Sequence, residues 1–206
     1  MVLFGKGLLF GFLLAATVGP MWVLCFRRTL EQGTLAGLAS GLGIAVADGL
    51  YGAVAAFGLT AISDFLLGQS FWIGFIGGLF LIYLGCSALL AKPAGLEDRE
   101  KIPQTKLLQA FLSTLGLTLA NPPTILAFVA IFAGLGLVAS DYGSAAWVVL
   151  GVFLGSASWW IVLAAGADWL RQRAGPGLFR AINLVAGLSI LGFACWQLAL
   201  VLPRRL

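Results

Sequence analysis

The chain has 206 residues and a mass of 21.6 kDa; 61% of residues are hydrophobic, 10% are charged and the mean hydropathy is +1.04. Soluble domains are nearer half apolar and a quarter charged, so a soluble globular fold is excluded, and disordered, collagen-like and nucleic-acid-binding chains fall with it. The net charge of +4 (12 Lys+Arg against 8 Asp+Glu) lies in short loops, which fits membrane orientation and not a phosphate-binding surface. With no histidine in the chain, His-based triads, His metal sites and imidazole proton shuttles are excluded as well.

Six stretches reach the roughly 20 apolar residues that carry a helix across a ~30 Å hydrocarbon layer: 3–26, 34–62, 71–91, 107–138, 144–167 and 177–202. Between them lie Arg27-Arg28-Thr29-Leu30-Glu31, a turn at Ser63-Asp64, the polar run 92–106, a turn at Ser140-Asp141-Tyr142-Gly143 and the stretch 168–176. The sequence therefore predicts one all-α, polytopic domain over 1–206, with the lipid bilayer around it. Lys6 and Ala15-Ala16 imitate a signal peptide. The apolar run continues to Phe26, however, beyond an h-region of about 7–15 residues, so the first span is expected to be retained.

The loops after spans one, three and five carry nine cations: Arg27, Arg28, Lys92, Arg99, Lys101, Lys106, Arg171, Arg173 and Arg180. The other side carries three, Lys6, Arg204 and Arg205. This split places the odd-numbered loops in the cytoplasm and both termini outside.

The spans divide three and three around a cytoplasmic linker at 92–106, and the two halves, 1–91 and 107–206, begin alike. One reads Lys6-Gly7-Leu8-Leu9-Phe10 and later Ala16-Thr17-Val18-Gly19-Pro20; the other reads Lys106-Leu107-Leu108-Gln109-Ala110-Phe111 and later Thr118-Leu119-Ala120-Asn121-Pro122-Pro123. An odd number of helices per half makes the second copy enter from the opposite face, so the chain is predicted to be two inverted three-helix repeats, the arrangement of a secondary transporter. Proline lacks an N–H and blocks a carbonyl one turn earlier, so the first helix of each half is expected to break near Pro20 and Pro122. Backbone groups freed in lipid must be satisfied by protein, water or substrate, and at the contact of two repeats they can serve a small polar solute. A single proline would be read as a simple bend; Gly19-Pro20 and Asn121-Pro122-Pro123 at matching positions favour a site.

Among the charged residues only Asp48 lies deep in a predicted span, where an ionised carboxylate costs about 2.5 kcal/mol or more. Gly37, Gly41 and Asp48 share one helix face, and Gly33, Ala45 and Gly49 extend it, a small-residue stripe that invites a neighbouring helix. Asp48 is therefore expected to face the interior, with Tyr51 one turn on and able to hydrogen-bond it. A carboxylate out of water loses its preference for the charged form and can exchange a proton, as a proton-coupled carrier requires, and it would attract a substrate ammonium. The alternative is a structural aspartate that caps broken backbone or locks packing.

Other features are assigned to structure. Cys25, Cys86 and Cys195 are expected to pack as small apolar residues. The ladders Gly74/Gly78/Gly85 and Gly151/Gly155 are expected to be packing seams. Glycine seams serve contacts within and between protomers alike, so a homo-oligomer stays open. Trp159-Trp160 lie too deep for an interfacial belt and line either a pathway or the lipid, whereas Trp22, Trp72, Trp147, Trp169 and Trp196 fit the belt. Asp64, Asp141 and Asp168 are expected to be solvated at span ends.

Taken in order, several blocks resemble the LysE/RhtB family of small amino-acid exporters. They are Gly11 with Ala16-Thr17-Val18-Gly19-Pro20; Gly33 and Gly37; the run from Gly41 through Asp48-Gly49-Leu50-Tyr51; Phe57-Gly58-Leu59; Gly77 to Ile82-Tyr83-Leu84-Gly85; and Phe111 with Asn121-Pro122-Pro123-Thr124-Ile125. The second-span block is closer to the basic-amino-acid branch. Many relatives have Pro-Gly-Pro where this chain has Val18-Gly19-Pro20, which predicts a milder break in the first helix. The resemblance implies export of an amino acid or similar small metabolite across a bacterial inner membrane by proton antiport, with the proton-motive force as energy source and no cofactor. It carries over Asp48, Gly19, Pro20, Asn121 and Pro122 as the substrate and proton pathway, and proximity adds Tyr51 and Thr124.

Enzyme readings fail on chemistry. Asp48-Gly49 lacks the Ala-Arg and later paired aspartates of a phospholipid-synthesis motif, and Gly155-Ser156-Ala157-Ser158 has no histidine base. The remaining alternative is an exporter or channel for a metal ion or another small solute. A single deep carboxylate disfavours a divalent site, and no metal centre is expected.

Overall fold

The computed structural model describes residues 2–57, 68–90, 103–121, 124, 127, 128, 141–173 and 176–202. Among them are seven helices and no strand: α1 (Val2–Ala16), α2 (Pro20–Gln32), α3 (Thr34–Ala56), α4 (Ser70–Leu90), α5 (Gln104–Leu119), α6 (Tyr142–Arg171) and α7 (Pro176–Val201). Within them Thr34–Ala56, Tyr142–Arg171 and Arg180–Leu200 are long and apolar enough to cross a membrane singly, and α1 with α2 does so as a bent pair. Large apolar side chains such as Leu9, Ile76, Leu108, Ile161, Val185 and Leu188 are exposed on the outer faces, where lipid would cover them. The chain is an all-helical, polytopic membrane protein.

The first predicted span is two helices. α1 ends at Ala16, and α2 begins at Pro20 across a 75° bend. A residue before proline is driven out of the α region; Gly19 is extended (φ −154°, ψ −174°), and Pro20 opens α2 where a missing N–H costs nothing. Pro20 alone suffices for this break, because it removes the N–H that would reach the Ala16 carbonyl.

The predicted loop Arg27–Arg28–Thr29–Leu30–Glu31 is instead the last part of α2, with Arg27, Thr29 and Leu30 buried. Arg27 and Glu31 stand one turn apart and pair at 2.9 Å, so two charges that looked like a solvated loop neutralise one another on a helix. Gly33 then turns α2 into α3 at φ 93°, ψ 172°, a conformation essentially confined to glycine. The second predicted span is helical as far as Ala56. Residues 58–62, the turn at Ser63-Asp64, most of the linker 92–106, Pro122, Pro123, Ile125 and Arg204-Arg205 lie outside the described residues.

Packing is reciprocal. α1 lies on α6 and α5 on α3, while α3 meets α6 and α4 meets α7. At the α1–α6 crossing a Cβ on Gly7 or Gly11 would fall on the carbonyl oxygens of Val148 or Val152, and one on Gly151 or Gly155 on those of Phe4 or Leu8. The two backbones touch, which only glycine on both sides allows. The α4–α7 seam also uses glycine, but to seat leucine side chains, Leu198 on Gly78 and Leu191 on Gly85. Cys25 is buried and donates to the Gly37 carbonyl (3.3 Å), but Cys86 and Cys195 are exposed on outer faces and are not core packing residues. They lie on apolar helices whose outward positions need only be compatible with lipid.

Candidate functional site

The small-residue face of α3 is buried along Gly37, Gly41, Ala45, Asp48, Gly49 and Gly52. A Cβ at Gly41 would strike the Trp160 side chain, and one at Gly49 would rest against Phe153, so glycine lets α6 approach at this level. That approach brings Ser156 to Asp48. The Ser156 hydroxyl donates to Asp48 Oδ2 at 2.7 Å, and Trp160 Nε1 donates to Ser156 Oγ at 3.1 Å. Asp48 is 3% exposed, no cation pairs with it among the described residues, and its Oδ1 has no hydrogen-bond partner there. Such a carboxylate is expensive in an apolar bundle unless it binds a proton or a ligand donor.

Tyr51 does not hydrogen-bond Asp48. Its hydroxyl donates to the Leu119 carbonyl at 2.7 Å, at the end of α5. A continuing helix would supply that carbonyl with the N–H of residue 123, which is a proline and has none. Tyr51 therefore supplies the donor that the second proline pair removes. The neighbouring Thr118 carbonyl accepts from Asn121 N–H at 3.1 Å. Asn121 Nδ2 donates to Thr124 Oγ1 at 2.9 Å, and Thr124 N–H to the Asn121 carbonyl at 3.0 Å, so these two residues restart the chain after the break. Thr118 Oγ1 is buried beside this break with no partner among the described residues. Replacing Tyr51 with Phe keeps the ring in place but strands the Leu119 carbonyl, and is expected to cost about 1–3 kcal/mol, read as a lowered unfolding midpoint in detergent.

The first break is tied to the same region by packing. Ala15 and Met21, on either side of it, belong to one core cluster with Ile44 and Ala45 of α3 and Trp160 of α6. Asp48 thus lies on α3 between Ile44 and Ala45, which share that cluster, and Tyr51, which caps the second break. Phe10 of α1 and Tyr51 both pack on Phe128, beyond the second break. The structure thus has Asp48 and Tyr51 buried on α3 and Asn121 and Thr124 bonded together just past the Leu119 carbonyl that Tyr51 reaches, while Pro20 opens α2 at the other break. Gly19 is a helix cap in open space, and neither its backbone angles nor a neighbour demands glycine there. Pro122 lies outside the described residues.

Sequence reasoning missed Ser156, which it met only as a serine-enzyme candidate. Trp160 is core and part of the Asp48 relay. Trp159 is half-buried and edge-on to Phe12 (5.4 Å), and its Nε1 is buried with no partner among the described residues. Trp22 stacks on Phe26 against the core, whereas Trp72, Trp147, Trp169 and Trp196 are about half exposed, as a belt requires. Asp141 caps α6, accepting from Ser144 N–H at 2.9 Å, and is more than a solvated charge.

Comparison with known proteins agrees with this architecture. The family model described as LysE type translocator matches residues 12–200. A Bacillus subtilis (strain 168) protein named "Putative amino acid efflux protein YcgF" is 26% identical over 197 residues, covering 94% of this chain and 93% of that protein. No solved structure matches the chain.

Proposed function

The chain belongs to the LysE type translocator family, and from that premise we propose that it exports amino acids across the bacterial inner membrane by proton antiport. That it is a transporter and not an enzyme follows from the family. The amino-acid substrate is carried over from the name of the Bacillus subtilis relative, and a basic side chain is the finer choice, drawn from the second-span resemblance and the attraction of Asp48 for an ammonium. The observation that carries proton coupling is Asp48: a buried carboxylate with no cation paired to it among the described residues, hydrogen-bonded to Ser156, on α3 between Ile44 and Ala45, which share a core cluster with both sides of the first break, and Tyr51, which reaches the second. It can take a proton or a substrate ammonium, and exchange of one for the other is antiport in outline.

The inverted-repeat organisation, with halves 1–91 and 107–206, is part of the same proposal. Its support is the reciprocal packing, since exchanging the halves turns the α1–α6 contact into α5–α3 and leaves the α3–α6 and α4–α7 pairs unchanged. The proposed orientation keeps the odd-numbered loops cytoplasmic and both termini outside. Without Arg27 and Arg28, which are engaged in helix contacts inside the bundle, seven Lys and Arg in or beside those loops still exceed the three opposite.

The test is counterflow into liposomes holding the purified protein, with a panel of labelled L-amino acids, with and without an imposed pH gradient. Gradient-stimulated movement of one amino-acid class is expected. No movement of any amino acid by folded protein would overturn the reading.

A further inference from the structure

Arg28 is a charged group inside the bundle for which the proposed mechanism has no use, and unlike Arg27 it has no acid bonded to it among the described residues. It leaves α2 and crosses to two other helices: Nη1 donates to Ser40 Oγ of α3 (3.1 Å) and to the Ala110 carbonyl of α5 (2.9 Å), and Nη2 donates to Ser113 Oγ of α5 (2.8 Å). All three acceptors are neutral. The acid nearest in sequence, Glu31, is paired with Arg27, so the Arg27–Arg28–Glu31 cluster keeps one uncompensated positive charge. A guanidinium has five N–H donors, and here Nε and one Nη2 hydrogen have no acceptor among the described residues. Ser40 is fully buried and accepts from Arg28, while its own hydroxyl hydrogen is given to no described residue. Free donors beside one surplus positive charge lack an acceptor with a single negative charge. A carboxylate supplies it, with two oxygens spaced for a guanidinium fork.

We infer that Arg28, assisted by Ser40, is the binding residue for the α-carboxylate of the exported amino acid, a reading that rests on the amino-acid substrate proposed above. Ser40 and Asp48 are eight residues apart on α3, about 12 Å of helix, so this site is separate from Asp48. The serines and the Ala110 carbonyl hold the guanidinium in place until substrate arrives.

The experiment measures binding apart from transport. Purified full-length protein in detergent is titrated with the twenty L-amino acids and with their carboxamides, which keep the side chain and ammonium but lose the carboxylate; the unfolding midpoint is the readout. Wild type is expected to bind at least one free acid and to prefer it to its amide by about tenfold or more, the scale of a charge-assisted hydrogen-bond pair. Arg28→Gln is expected to erase that preference. Arg28→Lys, which keeps the charge without the fork, should retain part of it, and decides the matter if Arg28→Gln does not fold.

Acid and amide bound alike by wild type, no acid bound at all, or a preference that survives in the folded variant would each overturn the assignment. The exporter reading is judged separately by counterflow. Acids that bind through Arg28 but are not moved would sink that reading and leave this site standing. Acids that are moved with no Arg28-dependent preference would do the reverse.

Discussion

An imposed pH gradient is expected to drive no amino-acid movement above the level of empty liposomes through the Asp48→Asn protein, although the variant folds. Asparagine matches the volume of aspartate, and its amide oxygen can still accept from Ser156, whose hydroxyl lies 2.7 Å from Asp48 Oδ2. What it loses is the exchangeable proton. An amide remains neutral on both sides of the membrane, so a transport cycle that carries a proton on this side chain has nothing to carry. The substitution separates the two roles open to a buried aspartate. If Asp48 only locks α3 to α6, the variant keeps that lock and transports as the wild type does. If it is the coupling group, gradient-driven flux vanishes while the unfolding midpoint holds or rises, because a costly buried carboxylate has become neutral. Ser156→Ala supplies the complementary control: the carboxylate stays, one hydrogen bond is lost, and gradient-driven flux should fall without disappearing.

The parts of this site legible in the sequence are those with a local signal. A carboxylate amid apolar residues marks Asp48, and small residues at four-residue steps mark the face it lies on, because helix periodicity alone decides which side chains share a face. The breaks were legible for a similar reason: proline removes a donor wherever it stands, so Pro20 ends one helix and begins another regardless of its neighbours. Tyr51 shows where local reasoning stops. Its position one turn from Asp48 invites a bond between them, yet the Leu119 carbonyl, freed by Pro123, is the stronger claim on the phenol, and that claim comes from a residue 68 positions away.

Arg27 and Arg28 were misread for a physical reason as well. Charges next to a glycine look like a membrane-surface loop, since burying an arginine is costly unless its donors are met. Here they are met in part, Arg27 by Glu31 one turn along α2 and three of the five Arg28 donors by Ser40, Ala110 and Ser113 on α3 and α5. The second set exists only once the helices pack, and nothing near Arg28 in sequence announces it. Ser156 is the same case. A small hydroxyl on a long apolar helix becomes informative only when it is known which face of α6 meets α3.

The α1–α6 crossing gives the largest expected effect on folding, and it also bears on transport. Gly155→Ala adds one methyl group, yet that carbon would fall on the Leu8 carbonyl oxygen and within 2.8 Å of Phe12 N. Both are backbone atoms of α1 and cannot rotate aside as a side chain would, so the helices must separate; about 1–3 kcal/mol is expected, at the upper end if the seam opens along its length. Gly166, on the same helix, has nothing within 4 Å of its missing Cβ, so Gly166→Ala should be neutral or stabilising by about 0.5–1 kcal/mol through helix propensity. The pair of variants therefore differs in sign for the same chemical change, and unfolding midpoints in detergent read the difference directly. Gly11→Ala, which presses on Val152 from the other side, should resemble Gly155→Ala. Because α1 runs straight into the first break, where Ala15 shares a core cluster with Ile44, Ala45 and Trp160, lifting α1 off α6 should also loosen the first break from the Asp48 region. Gly155→Ala should accordingly lose flux at temperatures where it is still folded, whereas Gly166→Ala should not; equal flux in the two folded variants would sever the proposed link between the first break and transport.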